Sequence, residues 1–201
     1  MLAMKNSTSK TTDLLVTVLS DLAVVVDGMS PERLQDPTPC TAWDVEQLRD
    51  HVLGWLTTFA AGFVDPQGRA PSANIEGYRA PAGPAQEVRL AAELLAQAIR
   101  DGAAERPLWL GENAMPGDLA LGMILCEYQV HGWDIARATG QLWSPPAAAS
   151  EESLTFAPAM LNDDYQGEGK PFGTRVAVAD DAPPLDRLLG LSGRDPGWSA
   201  A

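Results

Sequence analysis

Only two cysteines and two histidines occur in the 201 residues, and basic side chains are outnumbered by acidic ones, 14 to 27. Cys40 and Cys126 stand far apart with no CxxC pair, which removes a disulfide scaffold and a zinc ribbon. Two reduced, mostly buried thiols in a cytosolic protein are expected. The formal net charge of −13 repels phosphate backbones and anionic lipid, so neither nucleic acid nor a membrane is expected as a partner. No apolar run is long enough to cross a bilayer. The nearest candidate, LLVTVLSDLAVVV (residues 14–26), is bracketed and interrupted by Asp13 and Asp21, and no small-x-small cleavage site follows it. Its apolar residues recur at helical spacing, so it reads as an amphipathic helix and not as a signal segment. There is no internal repeat and no Gly-rich phosphate loop between a strand and a helix. The length suits one domain with an appendage, soluble and cytoplasmic.

Helical periodicity is what the chain does have. A first helix is expected from about Thr12 to Val26, ending at Gly28, with residues 1–8 as a loose terminus. SPERLQ (30–35) reads as one short turn opened by Pro31. The second helix should begin near Ala42, with Thr41 and Asp44 close to a capping box. Its apolar face runs Val45, Leu48, Val52, Trp55, Leu56, Phe59 and Phe63. Residues 65–83, rich in Pro and Gly and without period, are a long connection for a helical protein. A third helix is expected over Pro84–Arg100 and a fourth over about Asp118–Thr139, stopped by Gly140. Beyond it lie one more helix within 144–162, an alternating piece at Thr174–Val178 and a helical turn at Leu185–Leu189. The fold class is therefore all-α. Residues 1–145 form a four-helix bundle, and residues 146–201 form an extension that packs on it, being too poor in apolar groups for a core of its own.

Both histidines interrupt apolar stripes. His51 falls on the inner face of the second helix, between Leu48 and Trp55. In EYQVHGWDIARATG (127–140), Glu127 and His131 stand four residues apart on the inner face of the fourth helix. That spacing brings two side chains together on one face, within reach of one ion. His51 reaches the same height most easily if the second and fourth helices are antiparallel. The second and third helices then run the same way, joined by a crossover of about 30 Å that residues 65–83 can span at roughly 3.3 Å per extended residue. A buried carboxylate needs compensation, and a divalent cation held by two neutral imidazoles and a carboxylate supplies it. On spacing alone the plainer reading stays open: hydrogen-bonded core histidines and a glutamate paired with an arginine.

The motifs TPCTAWDVEQLRDHVLGW and EYQVHGWDIARATGQ together resemble the actinobacterial branch of the DinB-like superfamily. That branch includes the N-terminal metal-binding domain of mycothiol-dependent maleylpyruvate isomerase. The tail FG…DDAPPLDRLLGLSGRDPGW is similar to that of single-domain metal-binding members. The resemblance implies a four-helix bundle with a crossover between helices 2 and 3. It also implies a divalent metal on His51, Glu127 and His131, and a low-molecular-weight thiol such as mycothiol as cofactor. Zinc is the first candidate metal, with nickel and iron behind it. The residues after 145 are too few for the isomerase's second domain.

Three protein ligands leave an open position, as in catalytic zinc sites, where the ion lowers the pKa of a bound water or ionises a thiol. The reaction class is then S-transfer or isomerisation, with a small-molecule thiol and an electrophilic substrate as partners. A homodimer is compatible with the sequence. With both histidines on a metal, no Ser-His-Asp set remains. Two other classes stand beside this one. One is a non-catalytic metal- or small-ligand-binding protein. The other is an iron oxygenase using two histidines and one carboxylate. Around the constellation, Asp134 either orients an imidazole or pairs with Arg137 at the surface. Trp55 and Trp133 either pack or line a pocket, and Cys126 points about 100° away from Glu127 around the helix.

Overall fold

The computed structural model describes residues 2–72, 74–162, 164–167, 170 and 172–200. Six α-helices among the described residues account for the architecture: α1 (Leu2–Asp27), α2 (Val45–Val64), α3 (Pro84–Arg100), α4 (Gly117–Thr139), α5 (Ala147–Met160) and α6 (Pro184–Leu191). No helix among the described residues is long and apolar enough to cross a membrane.

Helices α1–α4 form the bundle. Its core is built from the apolar stripes of all four, with Leu15, Leu22, Leu48, Val52, Leu56, Val88, Leu95, Leu121 and Ile124 among the buried side chains. Each such side chain contributes roughly 1.5–3 kcal/mol by leaving water. Contacts between helix ends fix the directions. At one end, the start of α1 (Thr8, Thr12) shares a cavity with the end of α3 (Ile99, Arg100) and the start of α4 (Gly117, Asp118). At the other end, Gln141, just past α4, donates to the Val25 carbonyl near the end of α1. Near the start of α2, the Tyr128 hydroxyl of α4 donates to the Val52 carbonyl (3.2 Å). The backbone N–H of Ala80, just before α3, donates to Asp50 at this same end. Helices α2 and α3 therefore run parallel, α4 runs antiparallel to α2, and residues 65–83 are the crossover.

Several boundaries differ from expectation for local reasons. Helix α1 starts ten residues earlier, at Leu2 instead of Thr12. Its first turns carry no apolar period. They are held by polar contacts: Thr11 and Thr12 donate to the carbonyls of Ser7 and Thr8, and Lys10 pairs with Glu152 of α5 at 2.8 Å. Helix α2 starts at Val45 rather than Ala42, because Asp44 and not Thr41 is the cap. The Asp44 side chain accepts from the Gln47 N–H, and the Gln47 side chain accepts from the Asp44 N–H. A short antiparallel hairpin, β1 (Leu108–Leu110) and β2 (Asn113–Met115), precedes α4 where no strand was anticipated. Thr174–Val178 forms no strand; its Val176 N–H donates to the Gly190 carbonyl, and the Arg175 side chain donates to Gln166 and to the Leu161 carbonyl. Gly140 ends α4 with φ +71°, the left-handed conformation expected there.

The chain after residue 145 lies against the outer face of α4. Gln129 in α4 donates to Ser153 and to the Ala149 carbonyl and accepts from Ser150. A second apolar cluster joins Cys126, Val130 and Trp133 of α4 to Ala157, Leu161, Leu188 and Leu189. Helix α4 is thus covered on both sides. Its first residue, Gly117, passes so close to the carbonyls of Ala104 and Arg106 that a Cβ would overlap them. Gly117→Ala is expected to destabilise the fold by about 1–3 kcal/mol, read as a shifted denaturant midpoint with an unchanged slope.

Candidate metal centre

The Tyr128–Val52 bond sets the relative height of α2 and α4. Because the two helices run antiparallel, it leaves His51 about level with Gln129, between the heights of Glu127 and His131. His131, one turn further along α4, completes the group. The ring centres of His51 and His131 are 5.5 Å apart, edge to face. The Nε2 atom of His131 lies 3.2 Å from a Glu127 carboxylate oxygen. Three residues that the sequence picked out are therefore neighbours.

His131 is fixed from behind. Its Nδ1 is 3.1 Å from the Asp134 carboxylate, and Asp134 is fully buried. A carboxylate only accepts, so Nδ1 carries the proton. The second nitrogen, Nε2, then faces Glu127, a second acceptor. Two lone pairs opposed across 3.2 Å need a proton or a cation between them. Without a metal, a proton serves. Burial works against a charged imidazole, but the hydrogen bonds to Asp134 and Glu127 outweigh it and raise the pKa of His131 above the ordinary histidine value. Burial likewise opposes ionisation of Glu127, and the hydrogen bond and charge of His131, with Arg194 and His51 further off, reverse the balance and hold its carboxyl low.

His51 is held differently. Thr38, buried in the loop before α2, points its hydroxyl at the carbonyls of Cys40 and Trp43 and pins that loop. Trp43 is thereby laid over His51, with ring centres 4.1 Å apart. Neither ring nitrogen of His51 has a hydrogen-bond partner among the described residues. Burial, reinforced by the charge of His131 and partly opposed by Glu127, lowers its pKa to about 4. It is a neutral imidazole with a free lone pair at neutral pH.

The donor set suits a divalent ion: one carboxylate, one oriented imidazole and one neutral, unpartnered imidazole. Among the described residues, though, no three His, Cys, Asp or Glu side chains already close on one metal-sized point. The Glu127 oxygen and His131 Nε2, 3.2 Å apart, already have a separation that two ligands of one ion can have. A cleft of about 510 Å³ opens beside His51, between the start of α2 and the crossover, with Trp43, Asp50, Glu76, Tyr78 and Arg79 in its walls. The larger cavity of 730 Å³ lies at the other end of the bundle and contains neither histidine.

Of the residues left with two readings, Asp134 faces His131 and not Arg137, whose guanidinium lies over the Trp133 ring. Trp133 and Cys126 pack in the second apolar cluster, and Trp55 stacks on Phe59. Three neighbours escaped the sequence reading. Trp43 covers His51. Cys40 lies near enough for Arg194, Asp134 and Glu127 to act on its thiol, which burial pushes up in pKa. Arg194, from the tail, pairs with Asp134 at 3.1 Å. Its distance in sequence hides it; the only signal is its place in SGRDPGW, within the tail stretch that shares in the family resemblance.

An uncharacterized protein of Mycobacterium tuberculosis, found in strains CDC 1551 and H37Rv, is 29% identical over 175 residues, covering 86% of this chain and 91% of the relative. No solved structure matches significantly. The sequence profile of the mycothiol maleylpyruvate isomerase N-terminal domain matches residues 15–136, which takes in α2, α3, most of α4 and all three candidate donors. The chain belongs to that family.

Proposed function

We propose that this protein is a divalent-metal-dependent enzyme acting on a low-molecular-weight thiol such as mycothiol, of S-transferase or isomerase type. The observation that carries the reading is the state of His131: Nδ1 is tied to buried Asp134 and Nε2 is turned toward Glu127, beside a neutral, unpartnered His51. His51, Glu127 and His131 would hold the ion. When bound, the ion supplies Lewis acidity, which lowers the pKa of a water or thiol at its open position. The chain's own residues do the rest. Asp134 keeps His131 oriented, Trp43 shields His51 from solvent, and the cleft beside His51 gives a small molecule a way in. The family's name supports a thiol of the mycothiol kind. Zinc is the metal of choice for this donor set, ahead of nickel and iron.

A second reading is a metal- or small-ligand-binding protein without turnover. It draws on the extent of the family match, which covers what the family describes as an N-terminal domain, while the rest of this chain folds back onto α4.

A thiol-conjugation assay with several generic electrophiles, run with and without chelator, separates the two. The enzyme reading expects chelator-sensitive turnover in the wild type and none in His51→Ala, with helical content and cooperative unfolding retained because His51 lies beside the main core and not within it. Tight metal binding with no chelator-sensitive chemistry moves the protein to the second reading. Unfolding of His51→Ala makes the metal structural.

A further inference from the structure

We propose that Arg194, on the segment after α6, is a positioning residue for His131, acting through Asp134 to decide which imidazole nitrogen is offered to a metal. The inference rests on the metal reading above, and its geometry is independent of it. Arg194 is 7% exposed and Asp134 fully buried. The guanidinium fork spans the carboxylate: Nη2 lies 3.1 Å from Oδ2 and Nε lies 3.4 Å from Oδ1, while Nη1 donates to the Ser192 carbonyl at 3.0 Å. Oδ2 also faces His131 Nδ1 at 3.1 Å. The chain of contacts therefore runs from the Ser192 carbonyl through Arg194 and Asp134 to His131 and ends on Glu127.

Each link has a directional consequence. A carboxylate held at both oxygens by a planar fork cannot rotate, and lysine has no such fork. With Oδ2 fixed, the proton of neutral His131 is kept on Nδ1, and Nε2 keeps its lone pair toward Glu127 and His51. Without Arg194, Asp134 is free to turn away. The proton then goes to Nε2, where the Glu127 carboxylate at 3.2 Å accepts it, and the ligating lone pair is turned to the wrong side. The tail is tied down to serve this contact. Arg194 follows the tight turn after α6, with its N–H on the Leu189 carbonyl, and Leu188 and Leu189 are buried against the outer face of α4. The tail thus supplies a part of the site that the family match over residues 15–136 does not contain.

The test uses the full chain. With only two histidines present, long-range proton–nitrogen correlation spectra of metal-free protein report the protonated nitrogen of each ring, and His51→Ala assigns them. On the alkaline side of its titration, wild-type His131 is expected to carry its proton on Nδ1, and Arg194→Met is expected to move it toward Nε2. Zinc affinity, read by competition with a chromogenic chelator, should fall about 10- to 100-fold in Arg194→Met, as for loss of other groups that orient a metal-bound histidine. In an Asp134→Asn background the same substitution should change affinity little further, because Arg194 acts through that carboxylate. Wild-type tautomer and zinc affinity in a folded but less stable Arg194→Met would overturn the proposal and leave Arg194 as a pin for the tail. If Arg194→Met does not fold, Arg194→Lys decides: an intermediate loss of both readouts supports the fork, and wild-type values in both overturn it. A wild type that takes up no zinc defeats the metal reading alone, since the tautomer is read without metal.

Discussion

Replacing His131 by alanine is expected to weaken divalent-metal binding by more than about 100-fold, beyond the upper end of what loss of an orienting partner causes. His131 is the donor on which the others depend. It is locked by Asp134, and Glu127 is positioned against it. Its loss removes one ligand and leaves Glu127 without the partner that stabilises its charge. The same arrangement fixes the sign of the pH dependence. In the metal-free protein the pKa of His131 is raised, so a proton competes with the metal already above the ordinary histidine value of about 6.5. Apparent affinity should rise with pH through and above that range and fall below it. His51, with its pKa at about 4, adds no competition until far more acid conditions. Isothermal titrations with zinc at several pH values check both the size and the sign; affinity that is flat across the neutral range contradicts the assigned proton.

Asp134→Ala should be the most destabilising single change at the site. It removes the partner of a guanidinium that is 7% exposed and an acceptor for His131. Breaking a buried ion pair by deleting one member typically costs about 3–5 kcal/mol, because the surviving charge stays buried without compensation. For a chain of this size that is a fall in Tm of roughly 6–20 °C. Asp134→Asn, which keeps one acceptor oxygen, should lose clearly less. Thermal unfolding of the two variants side by side tests this. A loss of stability in Asp134→Ala no larger than that of an exposed aspartate such as Asp13 would show that the pair is not buried in solution.

The bundle was legible because its helices announce themselves. The stripes on α2, α3 and α4, the Gly140 stop and the length of the crossover all follow from period and turn chemistry, and His51, Glu127 and His131 stood out as polar residues on those stripes. The early turns of α1 were not legible, since polar contacts to α5 hold them in place of an apolar face. Neither was the hairpin before α4, because three-residue strands have too few residues to show a period. Within the site, Asp134 was half legible: its spacing from His131 was noted, yet nothing local distinguished a buried orienting carboxylate from a surface one. Trp43 and Arg194 were hidden for a different reason. The first is placed by a loop that Thr38 pins, and the second by a tail sixty residues beyond its partner. Long-range pairings of that kind leave no mark in a local pattern.

The central claim is that His51, Glu127 and His131 share one divalent ion, and anomalous diffraction at the absorption edge of the metal found in the purified protein tests it most directly. The account predicts a single peak among the three side chains, about 2.0–2.3 Å from His131 Nε2, a Glu127 oxygen and a His51 nitrogen, with His131 Nδ1 still on Asp134. A crystal grown with zinc that shows no peak there, or one held by other residues while His51 stays stacked on Trp43, would contradict it.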